Sequence, residues 1–286
     1  MNRIPGLSGS VALVTGGGRG IGRLVADSLA QAGVAVGVVA RSADELDETV
    51  ELVRRAGGVA AAAQADVADE QALAHAVAQL DAELGSPDIL VNNAGILGPI
   101  GPTWEVDGTD WWRTMEVNVR GVVNAANLVL PGMIARRHGR ILNITSQAGA
   151  YRWPTVSAYS VSKAAVAKFS ENLAHEASRH GVIVFSVHPG LLPIGLGERA
   201  FAVDPAVGSH LWRIHRWVQR EISAGRGADP GAAIHLIVRL AAGDADALSG
   251  RHLSVHDDLD TLLAQVATVE HDDLYLLHPR RLPPAA

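Results

Sequence analysis

The most informative stretch of this chain is Ser10-Val11-Ala12-Leu13-Val14-Thr15-Gly16-Gly17-Gly18-Arg19-Gly20-Ile21-Gly22. It opens with a short apolar run, long enough for a strand that is buried on both faces. The glycines follow, and an amphipathic run with helical spacing then continues to Gly33. A strand, a glycine turn and a helix in this order let the backbone approach a pyrophosphate at the positive end of the helix. A glycine turn outside this context is usually only a loop, so the context is what favours nucleotide binding.

Strands and helices alternate along the rest of the chain. Further strands are predicted at 34–40, 59–65, 88–91, 139–145, 181–187 and 250–255, and helices at 44–56, 69–84, 110–127, 157–180, 204–223, 229–241 and 257–269. Short connections between alternating strands and helices predict a parallel sheet with helices on both faces. We find no repeat and no linker, and therefore predict a single domain over residues 1–286.

The composition restricts the classes of partner. The 286 residues are 48% hydrophobic and include 30 glycines, which suits a buried α/β core with many tight turns. A net charge of −6 without any basic block argues against nucleic acid and against an anionic membrane surface. The absence of cysteine excludes disulfides and thiolate metal sites, and the histidines show no metal-ligand spacing, so no metal is expected. No apolar run approaches the roughly 20 residues that span a bilayer. No signal peptide is evident, so we expect a cytoplasmic protein.

The end of the second predicted strand indicates which cofactor is bound. A carboxylate about 20 residues after the glycines would bind the ribose 2′-OH of NAD. The strand here ends in Ala40 and is followed by Arg41, and Arg19 in the glycine turn adds a second cation. A neutral residue followed by a cation accommodates a 2′-phosphate, so we expect NADPH to be preferred over NADH. The alternative is that Arg41 is only a solvated loop charge.

Tyr159 and Lys163 are the candidate acid–base pair. Their i, i+4 spacing places them on one face of the predicted helix. A phenol has a reference pKa of about 10, and an ammonium one turn away is expected to lower that pKa toward the range of efficient proton transfer. Most such pairs on helices are a packed ring beside a solvated amine, so the pair alone does not establish catalysis.

Two more polar residues are candidates because of where they lie. Ser146 follows the strand 139–145, and ligands of open parallel sheets bind outside the carboxyl ends of the strands, so Ser146 is expected within reach of Tyr159. Asn118 lies inside an apolar helix, where a buried amide is costly unless it is hydrogen-bonded. It is either a structural hydrogen-bonding residue or a contact for water or ligand.

The substrate pocket is predicted to be mostly apolar. Residues 191–227 lose strand character and carry large apolar groups, which is typical of a lid over the substrate. The candidate lining residues are Leu97, Gln147, Trp153, Leu191 and Trp212. Such a pocket would suit a hydrophobic or polycyclic ketone, although the sequence does not identify the substrate. Residues 257–286 are predicted to be a C-terminal extension.

Together these residues resemble the short-chain dehydrogenase/reductase family over roughly residues 8–255. The resemblance rests on Thr15-Gly16-Gly17-Gly18-Arg19-Gly20-Ile21-Gly22, Asp66-Val67, Asn92-Asn93-Ala94-Gly95, Asn118, Ser146, Tyr159-x-x-x-Lys163 and Pro189-Gly190. Each of these motifs is weak alone, but all of them in this order are highly specific. The resemblance implies a Rossmann-type, doubly wound parallel sheet of seven strands, an NAD(P)-dependent oxidoreductase, and assembly as a homotetramer or homodimer.

The resemblance also assigns roles to residues. Tyr159 would exchange the proton with the substrate oxygen, Lys163 would lower the pKa of Tyr159 and bind the nicotinamide ribose, and Ser146 would hold the substrate oxygen. Asn118 would hold a water that links Lys163 to solvent. The cofactor would contact Gly16, Gly18, Arg19, Gly20, Ile21, Gly22, Arg41, Asp66, Val67, Asn93, Ala94, Gly95, Tyr159, Lys163, Pro189, Gly190 and Leu192.

The chain departs from the family pattern in two places. Ile194 stands where the family often has a threonine that contacts the nicotinamide carboxamide, and His256-Asp257-Asp258 stands where the last strand usually closes with Asp-Gly-Gly. The leading interpretation is an NADPH-dependent ketoreductase acting on a hydrophobic substrate. The alternatives are an NAD-dependent alcohol dehydrogenase, a non-catalytic NADP-binding regulator, and a non-redox lyase or epimerase, whose glycine spacing differs from the one present here.

Overall fold

The computed structural model describes residues 7–192, 194 and 205–278. Its strands are β1 (Val11–Thr15), β2 (Ala35–Ala40), β3 (Val59–Gln64), β4 (Ile89–Asn92), β5 (Gly139–Ile144), β6 (Val182–His188) and β7 (His252–Ser254). They form one sheet in the order β3-β2-β1-β4-β5-β6-β7, and every neighbouring pair is parallel. The predicted doubly wound parallel sheet of seven strands is confirmed.

Helices cover both faces of this sheet. They are α1 (Gly20–Gln31), α2 (Ala43–Arg55), α3 (Glu70–Leu84), α4 (Gly108–Met115), α5 (Gly121–Arg136), α6 (Ser157–Ala177), α7 (His210–Ser223), α8 (Pro230–Ala242), α9 (Leu259–Ala264) and α10 (Val266–His271). Buried apolar side chains of α1, α2 and α8 pack on one face, and those of α3, α5 and α6 pack on the other. The strands are buried on both faces, and their sequences are therefore nearly continuous apolar runs. None of the helices in the described ranges is both long and apolar enough to cross a lipid bilayer.

Three helices differ from the prediction. The helix predicted for 110–127 begins at Gly108 and continues to Arg136, through a π-helix at Glu116–Arg120 and past Pro131. The helix predicted to begin at 204 begins at His210, because Gly208 has a φ of +85° and the Ser209 hydroxyl accepts a hydrogen bond from the amide of Trp212 at 3.1 Å. Residue 204 itself lies outside the described residues. The helix predicted for 257–269 is two short helices, α9 and α10.

The order of the strands reverses between β1 and β4, which lie side by side with Thr15 opposite Asn92. The chain leaves these two strands toward opposite faces of the sheet, so a crevice opens at their carboxyl ends. The glycine turn follows β1 and Asn93-Ala94-Gly95 follows β4. The fold therefore brings both predicted cofactor segments to the same edge of the sheet.

A buried chain of hydrogen bonds ties the middle of the sheet to α6. The Asn92 side chain donates to Asn143 Oδ1, and the Asn143 side chain donates to Ser170 Oγ, both at 2.8 Å. Ser170 in turn donates to the Val166 carbonyl at 2.7 Å. These contacts fix β4, β5 and α6 relative to one another directly beneath the edge at which Ser146 and Tyr159 lie.

Asn143→Leu tests this chain because it keeps the side-chain volume and removes both hydrogen bonds of Asn143. The Asn92 amide then loses its partner in the core, and we expect the free energy of unfolding to fall by about 1–3 kcal/mol. Urea unfolding followed by circular dichroism measures the change. Ser160→Ala is the matched control, because the Ser160 hydroxyl is buried without a partner in the described structure and its removal should cost little. Equal stability of Asn143→Leu and the wild type would contradict the role of this chain.

Candidate active site

One cavity of about 580 Å³ follows the carboxyl edge of the sheet. Residues just beyond the ends of all seven strands line it, from Arg41 after β2 and Ala65 after β3 to Pro189 after β6 and His256 after β7. Its volume is within the range of small-molecule and cofactor sites. Because β2 and β3 lie on one side of the crevice and β5, β6 and β7 on the other, the cavity extends across the width of the sheet.

Backbone atoms of the glycine turn form one wall of this cavity. Gly16 has a φ of +65° and lines the cavity together with Gly18, Arg19 and Ile21. A Cβ atom at Gly22 would lie 2.2 Å from the Gly16 carbonyl oxygen, so only glycine permits this approach of α1 to the turn. The turn leads into the first residues of α1, where backbone N–H groups and the helix dipole favour an anion. The residues present therefore fit a dinucleotide pyrophosphate. Gly20 and Gly22 shape the turn without lining the cavity.

Both cations predicted to select NADPH line the cavity, but a carboxylate lies beside them. Arg19, Arg41 and Ser42 are all lining residues, and so is Glu45. The Arg19 guanidinium is 3.7 Å from the Glu45 carboxylate, which compensates part of its charge. Arg41 forms no ion pair within the part of the chain that the structure describes, so its charge is the one available to a 2′-phosphate at this position.

The other predicted cofactor residues lie along the same cavity. The lining includes Asp66, Val67, Asn93, Ala94, Gly95, Pro189, Gly190, Leu192 and Ile194. Asp66 already has two partners, because one carboxylate oxygen accepts from the amide of Ala68 at 3.0 Å and the other pairs with Arg113. This arrangement fixes the carboxylate that was predicted to contact adenine.

Ser146, Tyr159 and Lys163 come together at the junction of β5 and α6. Lys163 is only 5% exposed, and its ammonium donates a hydrogen bond to the Ile144 carbonyl at 2.7 Å. The same nitrogen lies 5.7 Å from the centre of the Tyr159 ring. Ser146 is the second residue after β5, and its hydroxyl lies near enough to that of Tyr159 to lower the pKa of the phenol. All three residues line the cavity.

The pKa of Tyr159 moves opposite to our expectation. Burial raises the pKa of the phenol, and the hydrogen bond with Ser146 only partly opposes this rise. Tyr159 therefore keeps its proton at neutral pH. Burial also lowers the pKa of Lys163, to about 8, which leaves Lys163 mostly protonated at neutral pH.

Asn118 has a structural role in the observed geometry. Its Oδ1 accepts from the amide of Ile96 at 2.8 Å, and its amide nitrogen donates to the Ile96 carbonyl and to Ser162 Oγ, both at 2.9 Å. It is fully buried within the π-helix and does not line the cavity. A Cβ atom at Gly95 would lie 3.3 Å from Asn118 Oδ1 and 3.7 Å from Lys163 Nζ, so Asn118 is close to Lys163 across Gly95. A water held between Asn118 and Lys163 stays a prediction.

Four of the five predicted substrate residues line the cavity, namely Leu97, Gln147, Trp153 and Leu191. Trp212 does not, and its ring instead faces Arg216 at 5.8 Å. The residues of α7 that line the cavity are Glu221 and the apolar Ile214, Trp217 and Val218. The i, i+3, i+4 spacing of the three apolar residues marks the buried face of an amphipathic helix, and this signal could have identified Trp217 from the sequence.

Two histidines were missed in the sequence. His188 is the last residue of β6 and His256 is the second residue after β7, and both line the cavity. The same argument from the carboxyl ends of strands that selected Ser146 would have selected them.

The comparisons with known proteins agree with this geometry. The family model described as short chain dehydrogenase matches residues 10–199. The chain belongs to the short-chain dehydrogenase family. It is therefore an NAD(P)-dependent oxidoreductase. A short chain dehydrogenase of Pseudocercospora fijiensis is 35% identical over 283 residues, which cover 95% of this chain and 90% of that protein.

Solved structures of this family superpose on most of the chain. A variant of actinorhodin polyketide ketoreductase with NADPH is similar with a TM-score of 0.78 and 32% identity, covering 86% of this chain and 95% of that one. An NAD⁺-bound xylitol dehydrogenase is similar with a TM-score of 0.78 and 27% identity, covering 87% of this chain and 98% of that one. The first of these structures contains NADPH and the second contains NAD⁺.

The buried Lys163 makes a pH-dependent contribution to stability. Its pKa falls from 10.5 to about 8 on folding, so between these values the unfolded chain binds a proton that the folded protein does not. Unfolding then takes up a proton, and stability from this group rises with pH over that window. We expect the wild type to gain stability relative to Lys163→Met between about pH 8 and about pH 9.5, measured by urea unfolding. Tyr159 is present in both proteins, so its titration contributes to both. If the difference in the free energy of unfolding between the two proteins does not change with pH, the lowered pKa of Lys163 is contradicted.

Proposed function

We propose that this short-chain dehydrogenase is an NADPH-dependent reductase of ketones that carry a hydrophobic body. The observation that carries the proposal is the single cavity that joins Arg41 to Tyr159 and Lys163. Its part near Arg41 suits a phosphorylated ribose. Its part near Tyr159 suits a carbonyl group within an apolar body.

Aromatic and aliphatic side chains surround Tyr159. The Trp153 ring contacts the Tyr159 ring edge-on at 6.4 Å and the Trp217 ring at 5.4 Å. Leu97, Val156 and Leu191 belong to the same apolar cluster and also line the cavity. Burial of apolar surface favours binding by roughly 25 cal/mol per Å², so this wall supports a hydrophobic substrate over a small charged keto acid.

The protein residues supply the proton and the orientation in the reduction. NADPH, when bound, supplies the hydride for the carbonyl carbon. Ser146 would donate a hydrogen bond to the carbonyl oxygen and hold it beside the Tyr159 hydroxyl. Tyr159 would then give its proton to that oxygen, so that the product is the alcohol and the phenol is left ionised. Lys163 lies 5.7 Å from the ring and would stabilise that phenolate.

The protonated form of Tyr159 is the form that ketone reduction requires. Burial raises the pKa of the phenol, so Tyr159 carries its proton at neutral pH and can act as the acid. The same residue would act as the base in oxidation of an alcohol, so its pKa fits both candidate reactions.

An NAD-dependent alcohol dehydrogenase is the second candidate, and Glu45 is the observation that favours it. Its carboxylate lines the cavity and lies 3.7 Å from Arg19, where it would repel a 2′-phosphate or accept a hydrogen bond from a ribose hydroxyl. Arg41 and Ser42 outweigh it in our proposal because they add a cation and a hydroxyl donor at the beginning of α2. The cytoplasmic location, the homodimer or homotetramer and the single domain stay predictions.

Tyr159→Phe tests the chemical role because it removes one hydroxyl and keeps the ring. Without the proton donor we expect kcat for the reduction of a hydrophobic aryl ketone to fall by about 10²–10⁴-fold. The dissociation constant of NADPH, followed by fluorescence titration, should stay within about twofold, which separates loss of chemistry from loss of fold. Retention of kcat would overturn the assignment of Tyr159.

Arg41→Ala tests the choice of cofactor. We expect the wild type to bind NADPH at least tenfold more tightly than NADH, about 1.4 kcal/mol, and Arg41→Ala to remove this difference by weakening NADPH only. Arg55→Ala is the matched control, because Arg55 lies exposed at the opposite end of α2 and pairs with Glu51. Equal or tighter binding of NADH by the wild type would favour the alcohol dehydrogenase instead.

A further inference from the structure

Two histidines lie next to each other on the wall of the cavity. His188 at the end of β6 is 7% exposed, and its Nδ1 is buried with no hydrogen-bond partner within the described part of the chain. His256 after β7 is exposed, and its ring centre lies 6.2 Å from that of His188. Both residues line the cavity. We call these two residues the histidine pair.

The unsatisfied nitrogen of His188 contrasts with its polar neighbours. His252 lies one strand away, and its Nδ1 is 2.6 Å from Ser186 Oγ and 3.4 Å from Thr145 Oγ1. Buried polar groups nearly always have a partner, and leaving one without a partner costs free energy. The ring of His188 turns about a soft two-fold torsion, so the positions of its nitrogen and carbon atoms can be exchanged.

Backbone hydrogen bonds hold the histidine pair in place. The amide of Val255 donates to the His188 carbonyl at 3.0 Å and joins the ends of β6 and β7. The amide of Ser254 donates to Asp257 Oδ2 at 2.7 Å, and the amide of His256 donates to Ser254 Oγ at 3.2 Å. This turn contains the residues that depart from the family's closing Asp-Gly-Gly.

The chemistry of the pair indicates a neutral ligand group. Burial, with smaller contributions from His252 and His256, lowers the pKa of His188 to about 3, so His188 carries no charge at physiological pH. Arg226 also lines the cavity, and its guanidinium is held by two hydrogen bonds to the Glu221 carboxylate, at 2.6 and 2.8 Å. The Asp257 carboxylate is held by the Ser254 amide. His188 therefore offers neutral hydrogen bonding and no charge for a carboxylate.

We propose that the histidine pair is a substrate subsite that hydrogen-bonds a neutral oxygen, a hydroxyl or a second carbonyl, on the hydrophobic ketone and away from the reacting carbonyl. This inference rests on the proposed ketone reductase and narrows its substrate class to ketones with a second oxygen. The histidine pair determines substrate specificity and takes no part in the chemical step, because Tyr159 supplies the proton and Ser146 orients the reacting oxygen.

The test uses tetralones that carry a hydroxymethyl group at each position of the aromatic ring in turn, each matched with the ethyl analogue of the same size. We expect the wild type to show a kcat/KM at least about tenfold higher for the best hydroxymethyl isomer than for its ethyl match, the size of one net hydrogen bond. His188→Leu should abolish this ratio, and His188→Gln, which keeps a hydrogen-bonding group, should retain most of it. His256→Ala should reduce the ratio.

His235→Gln is the matched control, because His235 is exposed on α8 and does not line the cavity. Calorimetric titration of the same ketone pairs into the NADP⁺-loaded protein separates this inference from the proposed function. If the wild type reduces both ketones with equal kcat/KM, or if His188→Leu keeps the preference for the hydroxymethyl ketone, the subsite is overturned and the proposed reductase is not affected. Tighter binding of the hydroxymethyl ketone that depends on His188, without any reduction, supports the subsite and overturns the reductase. Equal binding of the two ketones would show that the imidazoles do not contact the hydroxyl of the substrate. That result would overturn the subsite.

Discussion

The hydrogen bond from the Lys163 ammonium to the Ile144 carbonyl is the contact on which the active site depends. It joins α6 to the end of β5 at 2.7 Å, and these two elements carry Tyr159 and Ser146. Without this contact, a buried ammonium would have neither solvent nor a partner, so the pair of elements can approach only in the register that provides the carbonyl. The geometry of the proton donor and the stability of the folded protein therefore depend on the same atom.

Burial explains why the pair differs from a solvated tyrosine and lysine. The same desolvation that raises the pKa of Tyr159 lowers that of Lys163, because each shift favours the neutral form. With a pKa of about 8, Lys163 stays mostly protonated at neutral pH, so its charge is available to a phenolate that forms during the reaction. The raised pKa of Tyr159 keeps the phenol protonated until then. Burial therefore sets the protonation states of both groups before the proton is transferred.

The sequence predicted the parallel sheet and most of the cavity wall, because strands buried on both faces and a glycine turn leave periodic signals that do not depend on distant residues. It did not predict the direction of the Tyr159 pKa, because the i, i+4 spacing shows that Lys163 is near but not that it is desolvated. It also selected Trp212 in place of Trp217, although the spacing of Ile214, Trp217 and Val218 marks the inward face of α7. The π-helix around Asn118 left no pattern either, because a single extra residue in a helical turn hardly changes the spacing of apolar side chains.

Two kinds of interaction select the ligand of this cavity, namely hydrophobic contact and hydrogen bonding. The wall formed by Trp153 and Trp217 favours any large apolar body and discriminates weakly, because hydrophobic contact has no direction. A buried imidazole with an unsatisfied nitrogen discriminates more strongly, because a ligand without a matching oxygen leaves that nitrogen unpaired. In the proposed function, affinity for the hydrophobic class and selection within that class would therefore come from different residues. Variation at β6 and β7 can change the substrate without disturbing Ser146, Tyr159 and Lys163.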